Sequence, residues 1–245
     1  MTDQILKISN LSFSYKEGDL ILDGLSLEVF RTDKIGILGP NGAGKTSLFL
    51  LIAGVEKPWA GEIYLQEKKI VPGIFNPELG LVFQDSDDQV FNFSVFDDIA
   101  FGPRNMGLPR AEINRRVNEA LSVLGIQHLA RRAPQQLSGG EKRLVAIAGG
   151  ILAMQAGLAI YDEPTSNLDL RYRRRLINFI KSHKQKAALI ASHDLEFVLE
   201  TCNRVVILDQ GRIAADGRPQ DIMGDPLLME QHGLEVPHSL LGRQE

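Results

Sequence analysis

The sequence has a single cysteine, Cys202, so no disulfide can close within the chain. A reducing compartment is therefore expected, with Cys202 packed as a structural thiol. No N-terminal segment joins basic residues, an apolar run and a small-residue cleavage site. No secretion signal is read, and the mature chain is expected to start at Met1. There is no excess of positive charge either: 27 Lys and Arg stand against 31 Asp and Glu, a net charge of -4. No global field would hold such a chain on nucleic acid. The densest basic cluster, Arg171, Arg173, Arg174 and Arg175, reads as a solvated helix face and takes no site. Internal repeats, low-complexity tracts and flexible interdomain linkers are also missing.

Long uncharged stretches are scarce, and the exception is Leu144 to Tyr161, "LVAIAGGILAMQAGLAIY". Its length is about that of a bilayer span. Three glycines and Gln155 interrupt it, however, and it breaks near Ala156-Gly157 before running into Asp162-Glu163. A buried helix followed by a buried strand is the better reading.

What is present is an α/β pattern. A chain of 245 residues suits one compact domain, or a core with a small inserted lobe. Leu11, Phe13 and Tyr15 alternate with polar residues, and "ILDGLSLEVF" alternates again, which predicts antiparallel strands over the first thirty or so residues. Ile35, Ile37 and Leu38 predict a short buried strand, followed by a glycine loop and the helical "SLFLLIAG" ending at Gly54. Further buried strands are predicted at "LGLVFQ", "GLAIYD", "AALIAS" and "RVVILD", apolar on both faces as parallel central strands are. Composition turns helical between Gln84 and Gly157, with "RAEINRRVNEALSVLGI" amphipathic. The expected division is an α/β core at 1–86 and 157–220, an inserted helical lobe at 87–156, and a short tail at 221–245.

Chemistry concentrates in four places. "GPNGAGKT", Gly39 to Thr46, matches the G-x-x-x-x-G-K-[ST] phosphate loop and lies between a buried strand and a helix start. Its glycines let backbone N–H groups converge on phosphate oxygens, with Gly42 and Gly44 as the cradle. Lys45 adds a charge near the terminal phosphates, and the Thr46 hydroxyl can ligate magnesium. "LAIYDEP" ends a buried strand in Asp162 and Glu163, at the sheet edge where α/β proteins bind ligands. Asp162 is suited to holding magnesium through its water shell, and Glu163 to orienting or deprotonating an attacking water. "ASHD" puts His193 at the same kind of edge, within reach of a γ-phosphate. "LSGGE", Leu137 to Glu141, precedes the helical spacing Leu144, Ile147, Ala148, Ile151, Leu152. Ser138, Gly139 and Gly140 thus offer N–H groups and a hydroxyl to a second phosphate. Because the inserted lobe carries this grip away from the first loop, its nucleotide is expected to sit on another copy of the fold.

These segments, in this order, resemble the nucleotide-binding subunit of ATP-binding-cassette transporters along nearly the whole chain. The resemblance implies a P-loop NTPase (RecA-like) core with an N-terminal antiparallel β-subdomain and an inserted α-helical subdomain. It implies ATP and Mg2+ as ligands, held by Gly39, Pro40, Asn41, Gly42, Ala43, Gly44, Lys45, Thr46 and Ser47. By the same likeness Tyr15 stacks on adenine, Gln84 touches magnesium and water, and Leu137 to Glu141 is the family signature. Ser166 to Asp169 is then the loop that crosses between copies, and His193 the switch histidine. Two cassettes in that family pack head to tail with ATP between the phosphate loop of one and the signature of the other.

A narrower resemblance lies in "FQDSDDQVFNFSVFDDIAFGPRNMGLP", which is similar to the segment after the glutamine loop in energy-coupling-factor type importers, while "PTSNLD", "RRRL" and "HGLEVPHSL" resemble the ATPases of their nickel and cobalt branch. That implies a membrane coupling protein and a metal-specific membrane component as partners. Ser94 departs from the more usual threonine, and the tail is shorter than in vitamin-type members. Phe91, Phe93, Phe96 and Phe101, bounded by acids, suit an amphipathic helix from a membrane partner and also the lobe's core, and both roles are expected, with two of the four rings contacting the partner. His232 and His238 lack further ligands and are left unassigned. Two other readings stay open: an exporter or vitamin-type ATPase, and a cassette acting on DNA or ribosomes. The chain lacks the long coiled-coil insertion or tandem cassette of the latter.

Overall fold

The computed structural model describes residues 3–16, 18–85, 87–182 and 187–241; the expected start at Met1, and Ser86 in the importer-like segment, lie outside them. The chain runs through β1 (Gln4–Phe13), β2 (Leu22–Phe30), β3 (Lys34–Leu38), α1 (Lys45–Ile52), β4 (Ala60–Leu65) and β5 (Lys68–Lys69). Then come β6 (Leu79–Val82), α2 (Val95–Asn105), α3 (Arg110–Leu124), α4 (Gly139–Ile147), β7 (Leu158–Asp162) and α5 (Leu170–Ser182). It closes with β8 (Ala187–Ala191), α6 (Leu195–Thr201), β9 (Arg204–Asp209), β10 (Arg212–Gly217), α7 (Pro219–Met223), α8 (Pro226–Gln231) and α9 (His238–Leu241). Two compact units emerge, Met1–Asn76 with Gln185–Glu245, and Pro77–Lys184.

In the first unit an antiparallel sheet has the order β2-β1-β4-β5. Its alternation is that of a half-buried sheet: Leu22, Leu25, Leu27 and Val29 point inward while Ser26, Glu28 and Phe30 are exposed. Leu27 pairs with Ile8 and Leu25 with Leu11, so the two apolar faces coincide. The remaining strands of this unit follow the order β10-β9-β3-β8. β3 lies parallel to both β8 and β9, and every residue of β3 and β8 is buried. Burial on both faces is why these strands read as uninterrupted apolar runs. The expected helix after the glycine loop is α1, and Gly54 follows its C-cap, Ala53.

In the second unit β6 and β7 pair parallel, Val82 opposite Tyr161. α3 turns Ile113, Val117, Ala120, Leu121 and Leu124 inward at helical spacing, each large side chain contributing about 1.5–3 kcal/mol on burial. The uncharged run divides as its interruptions predict. α4 continues as a π-helical turn at Ala148–Leu152, and β7 begins at Leu158. Among the described residues no helix is long and apolar enough to cross a membrane. The basic cluster is only partly a solvated face. Arg171 and Arg174 are exposed, but Arg175 donates from Nη1 to the Leu124 carbonyl at 2.9 Å. It thereby serves a carbonyl at the C-terminal end of α3, where a cation is favoured.

Candidate functional site

The phosphate loop leaves β3 and is shaped by two close approaches. A side chain at Gly39, where φ is 146°, would place its Cβ 2.0 Å from the Leu208 carbonyl oxygen; at Gly44, with φ of 102°, it would lie 2.8 Å from Leu22 Cδ2. Only glycine fits either position. Gly42 differs, since a Cβ there would meet nothing within 4 Å, so the middle of the loop opens outward. The Ala43 amide donates to the Pro40 carbonyl at 3.2 Å, closing the turn. Lys45 begins α1, and its Nζ donates to the carbonyls of Gly39 at 2.6 Å and Pro40 at 2.9 Å, holding the ammonium over the loop. Asn41 and Thr46 are exposed. An open cradle of glycine amides, a helix N-terminus and a tethered ammonium fit a polyphosphate. Gly39→Ala is expected to lower the melting temperature by at least about 4 °C, the shift of about 1–2 kcal/mol in a domain of this size. Thermal unfolding of the two proteins measures it, and an unchanged midpoint would count against the Leu208 contact.

The same unit carries Tyr15 and His193. The Ser47 hydroxyl donates to the Tyr15 hydroxyl at 3.4 Å, and Tyr15 packs edge-on to Phe13 with centroids 4.8 Å apart while staying exposed. An exposed ring is thus held beside the first turn of α1. In the parallel pair of β3 and β8, Ile37 lies opposite Ala191, so the phosphate loop and His193 leave the same sheet edge. His193 is exposed, between β8 and α6. Asp194 caps α6 by accepting from the Phe197 amide at 2.9 Å, which fixes the turn.

The second unit carries the acids and the other glycine segment. Asp162 and Glu163 are buried, and Glu163 has a φ of 50°. A glutamate rarely adopts that conformation, and such residues cluster at functional sites. Since β6 and β7 are parallel, Gln84 leaves the same edge of that pair as these acids, and it is exposed. Asp169 accepts from the Tyr172 amide at 2.8 Å and so starts α5. At the third segment, Ser138 Oγ accepts from the Glu141 amide at 3.3 Å while Glu141 Oε2 accepts from the Ser138 amide at 2.8 Å. This is a complete capping box. Gly140 has a structural reason, because its Cβ would lie 3.1 Å from the Asn167 carbonyl, whereas at Gly139 it would meet nothing. Ser138 and Gly139 are exposed, leaving that helix start open to an anion.

The Thr46 hydroxyl in the first unit and the Asp162 carboxylate in the second are each hard oxygen donors of the kind Mg2+ takes. Among the described residues no group of three or more His, Cys, Asp or Glu could hold an ion by itself.

Two residues that hold these segments in place escape a reading of the sequence. Arg143 is 2% exposed and donates through Nη1 to the Phe83 carbonyl and through Nη2 to the Gln84 carbonyl. Burial pushes its guanidinium down from the ordinary value, and the charges of Asp162, Asp85 and Glu163 push it back up. The available signal was its position four residues before Ile147, on the buried side of α4. Asp98 is the other, accepting on Oδ1 from the amides of Phe91 at 3.0 Å and Asn92 at 2.9 Å. It secures a loop on which Phe91 is 59% and Phe93 96% exposed. Phe101 is exposed and edge-on to Phe91, and Phe96 is half-buried. Three of the four rings therefore do not fill the core. Nothing in the sequence marks Asp98.

A model of the ABC transporter family matches residues 22–166. The chain belongs to that family. As an ABC transporter ATPase it binds and hydrolyses ATP on a P-loop NTPase fold. A protein of Synechocystis sp. is 52% identical to it over 235 residues, 96% of this chain and 82% of that one. The energy-coupling factor transporter ATP-binding protein EcfA of Methanothermobacter thermautotrophicus is 38% identical over 242 residues, 96% of this chain and 78% of that one. Among solved structures, cbiO1 of Clostridium perfringens, part of the ABC transporter complex cbiONQ, superposes with a TM-score of 0.79 at 34% identity, covering 98% of both chains.

Proposed function

We propose that this ABC ATPase powers an energy-coupling-factor type importer, bound peripherally at the cytoplasmic face of the membrane. The observation that carries the reading is its likeness to an EcfA along nearly the whole chain. ATP is taken by the Gly39–Thr46 loop with Lys45 on the terminal phosphates and Tyr15 against adenine. Thr46, Asp162 and Gln84 would hold Mg2+ on the protein side, and the ion would supply neutralisation of the charge that develops during phosphoryl transfer. Glu163 accepts a proton from the attacking water as its oxygen bonds to the γ-phosphorus and the bond to the β-phosphate oxygen breaks. His193 hydrogen-bonds the γ-phosphate. A second copy, identical or paralogous, offers Ser138, Gly139 and Gly140 to the same nucleotide, with Asp169 in the loop that crosses between copies. Each chain thus carries two half-sites. The division into a core at 1–86 and 157–220, a helical lobe at 87–156 and a tail at 221–245 belongs to this reading.

The partners are a transmembrane coupling protein and a substrate-specific membrane component. Phe91, Phe93 and Phe101 receive an amphipathic helix of the coupling protein, which transmits ATP-driven closure. Cobalt or nickel is the cargo, on the resemblance of "HGLEVPHSL" and the short tail. The test is uptake of labelled cobalt and nickel by cells of the native host with the wild-type gene or Lys45→Ala, together with purification of the membrane proteins that accompany the chain. Loss of metal uptake in Lys45→Ala is expected. Unchanged uptake of both metals alongside loss of a vitamin, or of an exported compound, would overturn the cargo assignment.

A further inference from the structure

Arg143 sits one turn beyond the Ser138 cap, buried, with its planar fork divided between two consecutive carbonyls, Phe83 and Gln84. The other side of this segment is also held. Gln89 Oε1 accepts from the Phe83 amide at 2.8 Å, and Gln89 Nε2 donates to the Leu81 carbonyl at 3.0 Å. Both main-chain groups of Phe83 are therefore occupied, and the peptide that aims Gln84 has a fixed rotation. A second level of contact lies about two turns further along, in the π-helical stretch that continues the same helix. A Cβ at Gly150 would stand 2.8 Å from the Leu81 carbonyl, and one at Gly80 would stand 2.4 Å from the Gly150 carbonyl. Helix and strand meet there backbone to backbone.

Stability alone does not account for this arginine. The hydrogen bonds of the guanidinium go to two neutral carbonyls, and its Nε has no hydrogen-bond partner. An apolar side chain of similar volume is often as stable or more so at such a place. What the guanidinium supplies, and an apolar group cannot, is a rigid bidentate hold on two adjacent acceptors.

We propose that Arg143 is a positioning residue for ATP hydrolysis, setting Gln84 through its main chain and tying that residue to the helix that starts at Ser138. The segment carrying Gln84 and the signature helix then move as one body, so a displacement of either is felt by the other. This inference rests on the catalytic part assigned above to Gln84, and the experiment separates the two.

Steady-state ATPase of the full chain is measured for Arg143→Met, Gln84→Ala and the double variant. Arg143→Met is expected to lower kcat about tenfold with KM for ATP within about twofold, as misaimed catalytic groups do. In the Gln84→Ala background the same substitution is expected to cost less than about twofold, since the two act through one path. Arg143→Lys keeps the charge but not the fork, and is expected to show the same loss; it also replaces Arg143→Met in the cycle should that variant not fold. An unchanged kcat in Arg143→Met, or losses that multiply in the double variant, would overturn the inference while leaving Gln84 in place. A normal kcat in Gln84→Ala alone would remove Gln84 from catalysis, and this inference with it.

Discussion

Glu163→Gln is expected to bind ATP as tightly as the wild type and to hydrolyse it about a hundred- to ten-thousandfold more slowly, the range for losing a positioned general base. The substitution is nearly isosteric, so the buried position after β7 and its φ of 50° are kept while the proton acceptor is lost. ATP arrives and stays. In the head-to-tail reading, each long-lived nucleotide holds two copies together, so size-exclusion chromatography with ATP and magnesium is expected to show dimers that the wild type sheds as it turns over. Binding follows from fluorescent-nucleotide titration, and hydrolysis from phosphate release. Near-normal turnover in Glu163→Gln would remove Glu163 as base and leave the backbone strain at that position without a catalytic reason.

Ser138→Glu has the second large effect, and it distinguishes a helix cap from a phosphate grip. Loss of the serine cap costs about 1 kcal/mol, but a carboxylate in the first turn of α4 gains about 0.3–1 kcal/mol from the helix dipole. Folding and melting temperature are therefore expected to change little. A phosphate meeting that carboxylate is repelled, and turnover is expected to fall at least about a hundredfold, comparable to removing an oxyanion donor. A single subunit should still bind ATP through its own Gly39–Thr46 loop, because that loop's amides and Lys45 are untouched. Loss of monomer binding in Ser138→Glu would show that the two-copy site is wrong, and full activity would show that Ser138 is only the cap its capping box makes it.

The elements most legible in the sequence are those whose physics is local. β3, β7, β8 and β9 are apolar on both faces because parallel pairing buries both. β2 alternates because only one face is covered, and α3 shows its buried stripe at helical spacing. The phosphate loop was legible because its glycines answer nearby backbone, as Gly39 does at the Leu208 carbonyl. Less was legible where contact partners are far apart in sequence. Arg143 follows "LSGGEK" like any surface base, and only the return of residues 83 and 84 beneath α4 buries it. Arg175 looks solvated until the end of α3 is brought to it. Phe91 and Phe93 could be core or surface on composition alone, and the Asp98 hydrogen bonds that hold their loop decide for the surface.

The sequence by itself determined the fold class, the family and the residue types at each chemical position. Periodicity, glycine spacing and strand-end acids express interactions within one turn or one strand, and these are written in neighbouring residues. Tertiary structure alone decided which charged groups are buried, which backbone carbonyls a side chain reaches, and that Glu163 takes a left-handed conformation. Those properties depend on desolvation and on main-chain groups brought together from distant positions, and a buried arginine is spelled the same way as an exposed one.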